Sequence, residues 1–355
     1  MQYREGEKTM KDFRINFNFH DDGSVFVNSV NAGTVKNAAL NVNVTGQTSL
    51  APEMKTFYDK VLIRSAEPYL VHDQFGQKRP IPKGSGKTIE FRQFSTLPKA
   101  TTPLTEGVTP NGQSYSVNSF TATIQQYGAY IAISDMLELT AFDNQMAEIT
   151  RMLGAQAGIT SDTLTRDVLA QSTNVIRVGG GAERKDVAAA NILTVEAIKK
   201  AVRALKRKNI PTIGGNYVAI VHPDTVYDLW NDDEWIEASK YAGSTQIFQG
   251  EVGKLYGVRF VESTEAKIWS KEASGAQVPV YATLVLGENA FGVTSINNGG
   301  IETITKQLGS GGSSDPLNQR ATVGWKMNKA VVILEQSRMV MIEHTASYTT
   351  NDIPN

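Results

Sequence analysis

Residues 77–126 constrain the fold of this chain more than any other stretch. Five of the chain's 12 prolines fall there, at Pro80, Pro82, Pro98, Pro103 and Pro110. Each removes a backbone donor and fixes φ, so no long helix can run through the region. Two short pieces alternate as strands do. In the first, Ile89, Phe91 and Gln93 face one way and Thr88, Glu90 and Arg92 the other. In the second, residues 120–126, Ala122 and Ile124 share a face. The Pro-punctuated tip between them ends in Pro110-Asn111-Gly112, a turn signal. The stretch reads as a long two-stranded hairpin with too few apolar residues for a core of its own, and such a hairpin is marginal alone in water. At about 3.3 Å per extended residue each limb reaches up to roughly 60 Å, while a domain of this length has a radius of gyration of about 20 Å. Structureless loops beyond about 15 residues are uncommon in compact domains. The stretch is therefore expected to be an arm that lies on a neighbouring subunit, with an ordinary surface loop as the alternative.

Composition narrows the classes. With 355 residues there is room for two or three packed units. An apolar fraction of 41% and a charged fraction of 20% are those of an ordinary soluble protein. The net charge of −1 and pI near 6.5 argue against general nucleic-acid binding, which usually needs a basic domain. There is no cysteine, so disulfide scaffolds, thiolate zinc sites and cysteine nucleophiles are excluded. Apolar runs such as 330–334 fall far short of the ~18 residues of a membrane span. The first residues carry no apolar signal-peptide core, and a reducing cytoplasm suits such a chain.

Along the chain, residues 1–50 read as a flexible leader or an arm ordered by partners. A helix is expected over 50–70, with Met54, Tyr58, Val61 and Leu62 at helical spacing and Pro52 in its first turn. After the hairpin, 127–133 alternates as a strand, and Ser134-Asp135 can cap a short helix over 136–139. The longest helix is expected over 143–171, with Phe142, Met146, Ile149, Leu153, Ala157, Leu164 and Val168 on one stripe. Gly154 and Gly158 inside it each cost about 1 kcal/mol against alanine, so their spacing implies a close backbone crossing or a kink.

Residues 192–300 read as an α/β unit. Thr194 is the expected N-cap of a helix with Ile198, Val202 and Leu205 inward. Its other face carries Lys199, Lys200, Arg203, Lys206, Arg207 and Lys208, a solvated face with cations near the helix C-terminus. A strand over 217–221 leads through His222-Pro223-Asp224 into a helix with Val226, Leu229 and Trp230 inward. Strands follow over 257–261 and 281–286, and from Ile301 onward strands dominate, at 321–327, 330–334 and 339–343. The last segment is expected to return beside the early long helix, giving two lobes, one of them discontinuous.

Catalytic and ligand motifs do not assemble. Gly84-Ser85-Gly86-Lys87-Thr88 resembles the end of a phosphate loop, but Pro80 and Pro82 precede it and a strand pattern follows instead of a helix. His20, His72, His222 and His344 show no metal-ligand spacing. The acidic run Asp232-Asp233-Glu234 reads as a solvated loop, with a cation site or inter-subunit salt bridge as the alternative. No nucleophile, base and oxyanion donor come together in sequence, and no catalytic, cofactor or metal residue is expected.

Thr56-Phe57-Tyr58-Asp59-Lys60, Ala66-Glu67-Pro68, 70–76 and Pro80-Ile81-Pro82-Lys83-Gly84 carry a family resemblance. In them the chain resembles the major capsid proteins of tailed bacteriophages, in particular the group found in podophages with large single-subunit RNA polymerases. Leu97-Pro98-Lys99-Ala100, 104–110, Ser134-Asp135-Met136-Leu137, Val221-His222-Pro223-Asp224 and Gly250-Glu251-Val252-Gly253 extend it. The match covers about 50–347, strongest in the middle third, and the first 45 or so residues depart from the pattern. The resemblance implies the α+β tailed-phage capsid fold, shared with the herpesvirus capsid floor. Residues 1–50 would be the N-terminal arm and 77–126 the extended hairpin loop. Residues 51–76, 127–191 and 301–355 would form the peripheral domain with its spine helix, and 192–300 the axial α/β domain. It also implies no cofactor and no turnover chemistry.

The function so implied is a structural shell subunit, present in the virion and made in the host cytoplasm, many copies of which surround double-stranded DNA. Its partners would be other copies of itself in hexamers and pentamers, then scaffolding, portal and decoration proteins, with weak DNA contact and no membrane. The arm side chains expected to meet a neighbour are Ile89, Phe91, Phe94, Leu97, Pro98, Leu104, Val108 and Pro110. Modest contacts become strong when each subunit meets several others around closed axes. Two rivals stay open: another phage structural protein, such as a tail tube or head decoration protein, and a soluble enzyme with a long lid built from 77–126.

Overall fold

The computed structural model describes residues 17–19, 25–27, 52–81, 86–94, 97–109, 111–140, 145–241, 252–276, 278–295, 301–310, 315–348 and 355. The chain divides into two units, Met1–Gly46 and Gln47–Asn355. In the first, β1 (Phe17–Phe19) and β2 (Val25–Val27) pair antiparallel. The rest of the expected 1–50 leader or arm, His20 included, lies outside the described residues.

The second unit starts with α1 (Pro52–Ala66), which buries Tyr58, Leu62 and Ala66 at four-residue spacing. Two 3₁₀ turns, Glu67–Tyr69 and His72–Phe75, lead to β3 (Gln77–Arg79). The hairpin strands are β4 (Thr88–Phe94) and β5 (Val117–Thr123). Then come β6 (Gln125–Ser134), α2 (Asp135–Thr140) and α3 (Gln145–Leu169). The Ser134 hydroxyl accepts from the Leu137 N–H at 3.3 Å, as its capping chemistry suggests.

At 25 residues α3 runs about 38 Å. Its stripe packs on α1 and on a three-stranded sheet, with Leu153 and Ala157 fully buried and Met146, Ile149 and Leu164 at the margin. Phe142 of the expected stripe lies outside the described residues. The glycines resolve as a crossing. A β-carbon on Gly154 would stand 2.6 Å from the Leu62 carbonyl oxygen, and one on Gly158 would stand 2.5 Å from that of Ala66. Only bare backbone lets α1 approach this closely. The sheet against these helices joins β14 (Ile301–Lys306), β15 (Arg320–Lys329) and β6, with β15 and β6 in antiparallel register over ten pairs. Val323, Trp325 and Met327 alternate toward the helices.

The α/β body follows α3 with β7 (Val175–Arg177), α4 (Val195–Arg207), β8 (Tyr217–Val221) and α5 (Pro223–Trp230). Next are α6 (Asp233–Tyr241), β9 (Gly253–Leu255), β10 (Val258–Glu262), β11 (Ile268–Trp269), α7 (Lys271–Ser274) and β12 (Val280–Leu286). Every residue of β8 and β12 is buried, because both faces of the sheet are covered. Ala219 and Val221 point to a core with Ile198, Leu205 and Leu229. Val218 and Ile220 point to a second core with Leu169 and Phe291.

The remaining strands are β13 (Phe291–Thr294), β16 (Val331–Ile333) and β17 (Met339–His344). The small sheet runs β16-β13-β3 and the large one β7-β17-β12-β8-β10-β9, with β11 against β12. This departs from the expectation that the α/β unit is the contiguous stretch 192–300 and that 301–355 belongs wholly to the other lobe. β17, from the far end of the sequence, is a central strand of the α/β sheet, and β7 enters it from before residue 192. Sequence alternation marks a strand but not its partner.

Two local expectations change. Thr194 stands at the N-cap of α4, but its side chain caps nothing; Asp232 Oδ2 accepts the Val195 N–H at 3.1 Å instead. Trp230, expected inward, is half exposed, while Val226 and Leu229 are buried. Among the described residues, no helix is long and apolar enough to cross a membrane.

Candidate functional site

The hairpin is anchored at its root and bare at its tip. β4 and β5 form seven antiparallel pairs, from Thr88↔Thr123 to Phe94↔Val117. The expected arm over 77–126 therefore shortens at both ends: Gln77–Arg79 pairs with β13 and Gln125 and Gln126 with β15. Ile89, Phe91 and Ala122 point to one face, as the alternation requires, but that face packs on Ala330 and Leu334 of the same chain. Phe91 lies so close over β13 that a β-carbon on Gly292 would come within 2.4 Å of its ring. The Arg79 guanidinium stands 5.5 Å from the same ring and donates to the Glu90 carbonyl at 3.0 Å. The Gln93 amide donates to Glu335. Burial raises the Glu335 carboxyl, but hydrogen bonds from Ser337, Arg338 and Gln93 outweigh it and hold the group below its usual range.

Ile89 and Phe91, expected to meet a neighbour, are thus corrected. At 4% and 0% exposure they have no surface left to offer. The other expected contact residues differ. Phe94, Leu97, Leu104 and Val108 are 66%, 54%, 77% and 63% exposed, and Pro98 is exposed as well. Pro110 lies outside the described residues. Tyr115, which sequence reading passed over, joins them with its ring 6.1 Å from that of Phe94. A run of large apolar side chains without cover in its own chain is the signature of an interaction surface.

Behind the root lies a buried polar cluster that sequence reading did not bring together, though it named His72 among the histidines. Asp73, from the turn just before β3, accepts from the Ser161 hydroxyl at 2.9 Å and from Thr165 and the Lys329 ammonium. Lys329 Nζ also donates to Ser161 Oγ at 2.9 Å. One residue away, Asp162 accepts the His72 backbone N–H at 2.7 Å and binds His72 Nδ1 at 2.6 Å. All six side chains are buried. Burial pushes the Lys329 ammonium below the ordinary lysine range, against the pull of Asp73. A serine beside a lysine of lowered basicity has the parts of a nucleophile and base. Here the pair is enclosed: Ser161 and Lys329 are buried, and the cavity that touches Asp73 and Lys78 is lined by neither of them. The cluster instead ties α3, the end of β15 and the turn before the arm together.

A second set of ion pairs joins the α/β body. Glu343 of β17, fully buried, takes Arg177 at 2.7 Å and Arg184 at 2.6 Å. The Arg184 guanidinium lies 3.6 Å over the Trp269 ring. Arg166 of α3 reaches the Glu265 carbonyl at 3.0 Å.

The other candidates resolve into structure. His222 caps α5, its Nδ1 accepting the Asp224 N–H at 3.2 Å. His344 is fully buried, bonded to Thr283 Oγ1 and the Thr345 carbonyl, and burial pushes its imidazole down to about 4. Asp232 holds the start of α4 and Glu234 pairs with Lys199, so the acidic run is neither a free loop nor a cation site. Among the described residues, no group of three histidine or acidic side chains is placed to hold a metal ion. Thr88 opens strand β4, not a helix, so the Gly86-Lys87-Thr88 run lacks the helix N-terminus a phosphate loop needs; Gly84 and Ser85 lie outside the described residues. An open groove of about 720 Å³ runs over the outer face of β14, β15 and β6, where Tyr130 is 74% exposed beside Ile304 and Gly324.

Comparison with known proteins gives a consistent result. The sequence profile of the family described as phage capsid protein matches residues 118–341. The major capsid protein of Escherichia phage T5 is 30% identical over 98 residues, 28% of this chain and 20% of that protein, so the match spans about a fifth of that relative's length. The capsid of Ralstonia phage GP4 shares the fold with a TM-score of 0.63 at 14% identity, covering 92% of this chain and 100% of that one. The capsid of cyanophage Pam1 does so with a TM-score of 0.59 at 17% identity, covering 80% and 92%.

Proposed function

This chain belongs to the phage capsid protein family, and from that premise we propose that many copies of it assemble into the icosahedral shell enclosing phage double-stranded DNA. The role is structural rather than enzymatic. The observation that carries this reading is the division of the hairpin. Its root is buried in its own chain at Phe91, while Phe94, Leu97, Leu104 and Val108 stand exposed beyond it. A lid on an enzyme would close over a pocket with convergent polar groups, whereas the Ser161–Lys329 cluster is sealed by the fold itself.

In this reading the α1–α3 layer and its sheet form the peripheral part, with α3 as the spine. The α/β body, including β7 and β17, forms the axial part that gathers in pentamers and hexamers. The tip of each arm lies on a neighbouring copy, and the open groove at Tyr130 and Ile304, lined by polar as well as apolar groups, is surface available to it. Scaffolding, portal and decoration proteins are further partners, and the finished protein resides in the virion after synthesis in the host cytoplasm. Head-to-tail contacts around each axis repeat one modest interface many times, which multiplies its strength.

Negative-stain microscopy of the purified protein, alone and with a co-expressed scaffold, tests the proposal. Closed shells are expected. Small monodisperse oligomers under every assembly condition would count against it, and rings or fibres would favour a tail or decoration role. Deleting residues 97–110 is expected to abolish shells while leaving a folded subunit, and normal shells from that variant would remove the arm from the mechanism.

A further inference from the structure

The outward face of α4 and the residue after it carry six cations, Lys199, Lys200, Arg203, Lys206, Arg207 and Lys208. The structure divides them. Lys199 is paired with Glu234, and Lys200 with Glu196 at 2.8 Å. Arg203, Lys206, Arg207 and Lys208 are exposed, and none of these four has an ion pair among the described residues. A shallow groove runs along them, lined by Lys199, Val202, Arg203, Lys206, Arg207 and Tyr256. Among the described residues, no acidic side chain lines it. Val202 is buried beneath the cations, so the apolar part of the groove comes mainly from the lysine and arginine stems and the Tyr256 ring.

Tyr256 adds a second observation. It sits with Gly257 in the two-residue turn between β9 and β10, at φ 50° and 80°, the left-handed pair that a tight hairpin turn takes. That backbone presents its ring, 49% exposed, beside the cations, with the Lys199 ammonium 4.9 Å from the ring centroid. Favourable placement near the helix C-terminus accounts for Lys206 and Arg207. It does not account for Arg203 further back, nor for the aromatic ring on another element. Arg203, Lys206 and Arg207 are spaced i, i+3 and i+4, so their side chains leave the helix as surface neighbours.

We propose that this face binds the phosphodiester backbone of the enclosed nucleic acid. Arginine and lysine side chains and the tyrosine hydroxyl are the groups that contact phosphate without reading sequence. The contact is local on a chain whose net charge is −1, which keeps it weak and reversible. The inference deepens the shell reading by naming the surface that faces DNA, and its test does not require shells to form.

The experiment is an anisotropy titration of a short fluorescent DNA duplex with the full, unassembled chain across 50 to 200 mM salt. Neutralising three or four phosphates predicts a fall in affinity of about 40- to 150-fold over that range. The variant Arg203→Gln/Lys206→Gln/Arg207→Gln is expected to bind at least tenfold more weakly at the low end, with a flatter salt dependence. Arg203→Gln alone is expected to reduce the logarithmic salt slope by about 0.9, which keeps the test valid should the triple variant fold poorly. Lys200→Gln, already paired in the wild type, is expected to stay within twofold. Unchanged affinity and slope in the triple variant would overturn the proposal. So would loss of assembly with duplex binding intact, which would make the face a contact between protein chains. Absence of wild-type shells in micrographs would count against the shell reading alone and leave the duplex result standing.

Discussion

Replacing Leu97, Leu104 and Val108 with serine is expected to raise the subunit concentration needed for assembly without unfolding the subunit. The three side chains are 54%, 77% and 63% exposed, together about two full side chains of open apolar surface. Burying a leucine or valine is worth about 1.5–3 kcal/mol, so covering these on a neighbour contributes about 3–6 kcal/mol per subunit. Ordering the tip and losing its freedom take back part of this, leaving about 2–4 kcal/mol. At 1.4 kcal/mol per tenfold, the assembly threshold moves roughly 30- to 700-fold. Changes at exposed positions usually alter folding stability by less than about 0.5 kcal/mol, so the melting curve is expected to stay put. The assay is a concentration series read by light scattering and micrographs, with circular dichroism melts of the unassembled chain alongside. Phe91→Ala supplies the contrast. Its ring is fully buried over Gly292, so its loss is expected to cost about 3–5 kcal/mol of folding stability. Shells at the wild-type threshold from the triple-serine variant, or a melting curve that falls as far as that of Phe91→Ala, would refute the division into anchored root and free tip.

Three further outcomes follow from the same geometry. Gly158→Ala is expected to lower the urea midpoint, because a β-carbon 2.5 Å from the Ala66 carbonyl costs about 1–3 kcal/mol in overpacking, more than the ~1 kcal/mol gained in helix propensity; a raised midpoint would mean that α1 moves aside freely. Lys329→Met leaves Asp73 buried without its cation and is expected to cost about 3–5 kcal/mol, while the double variant with Asp73→Leu recovers much of it; simple additivity of the two single changes in urea melts would deny the pair. The imidazole of His344 is held down to about 4 by burial, whereas in the unfolded chain it titrates near 6.5. Between those values only the unfolded chain takes up the proton, so stability falls as pH drops from about 6.5 to 4, by about 3 kcal/mol in all; His344→Gln is expected to lose that component, and parallel stability profiles for the two proteins from pH 7 to 4 would overturn the assignment.

Much of the scaffold is legible in the sequence because it is written in local patterns. The stripe of Leu153 and Ala157 marks α3, and Gly154 and Gly158 announce the crossing with α1 before its partner is known. The runs at 217–221 and 281–286 read as strands, and both are strands, buried on both faces. Partnership is where the reading stops. The alternation at Ile89 and Phe91 gives the inward face of β4 correctly, but not whose interior it enters; the cover, Ala330 and Leu334, lies more than 200 residues on. The Asp73 cluster was missed for a related reason. Ser161, Asp162 and Thr165 at helical spacing look like a solvent face of α3, and what buries them comes from His72, Asp73 and Lys329, up to 256 residues apart in the chain. The signal available was the interruption of the stripe between Ala157 and Leu164 by polar residues that face the same side.

The dock for the hairpin has a consequence in time. β4 and β5 are neighbours in sequence, and a hairpin of that kind closes within about 1–10 μs. Gly292, Ala330 and Leu334, which receive Phe91, are synthesised some 200 residues later, and β17 must also arrive before the large sheet is whole. Contacts of such separation form slowly. A nascent chain thus carries Ile89 and Phe91 uncovered on one side of the hairpin and Leu97 and Leu104 on the tip, two sticky surfaces at once. Only on completion does the first vanish, so a finished subunit keeps the adhesive tip but no longer the adhesive inner face of the hairpin.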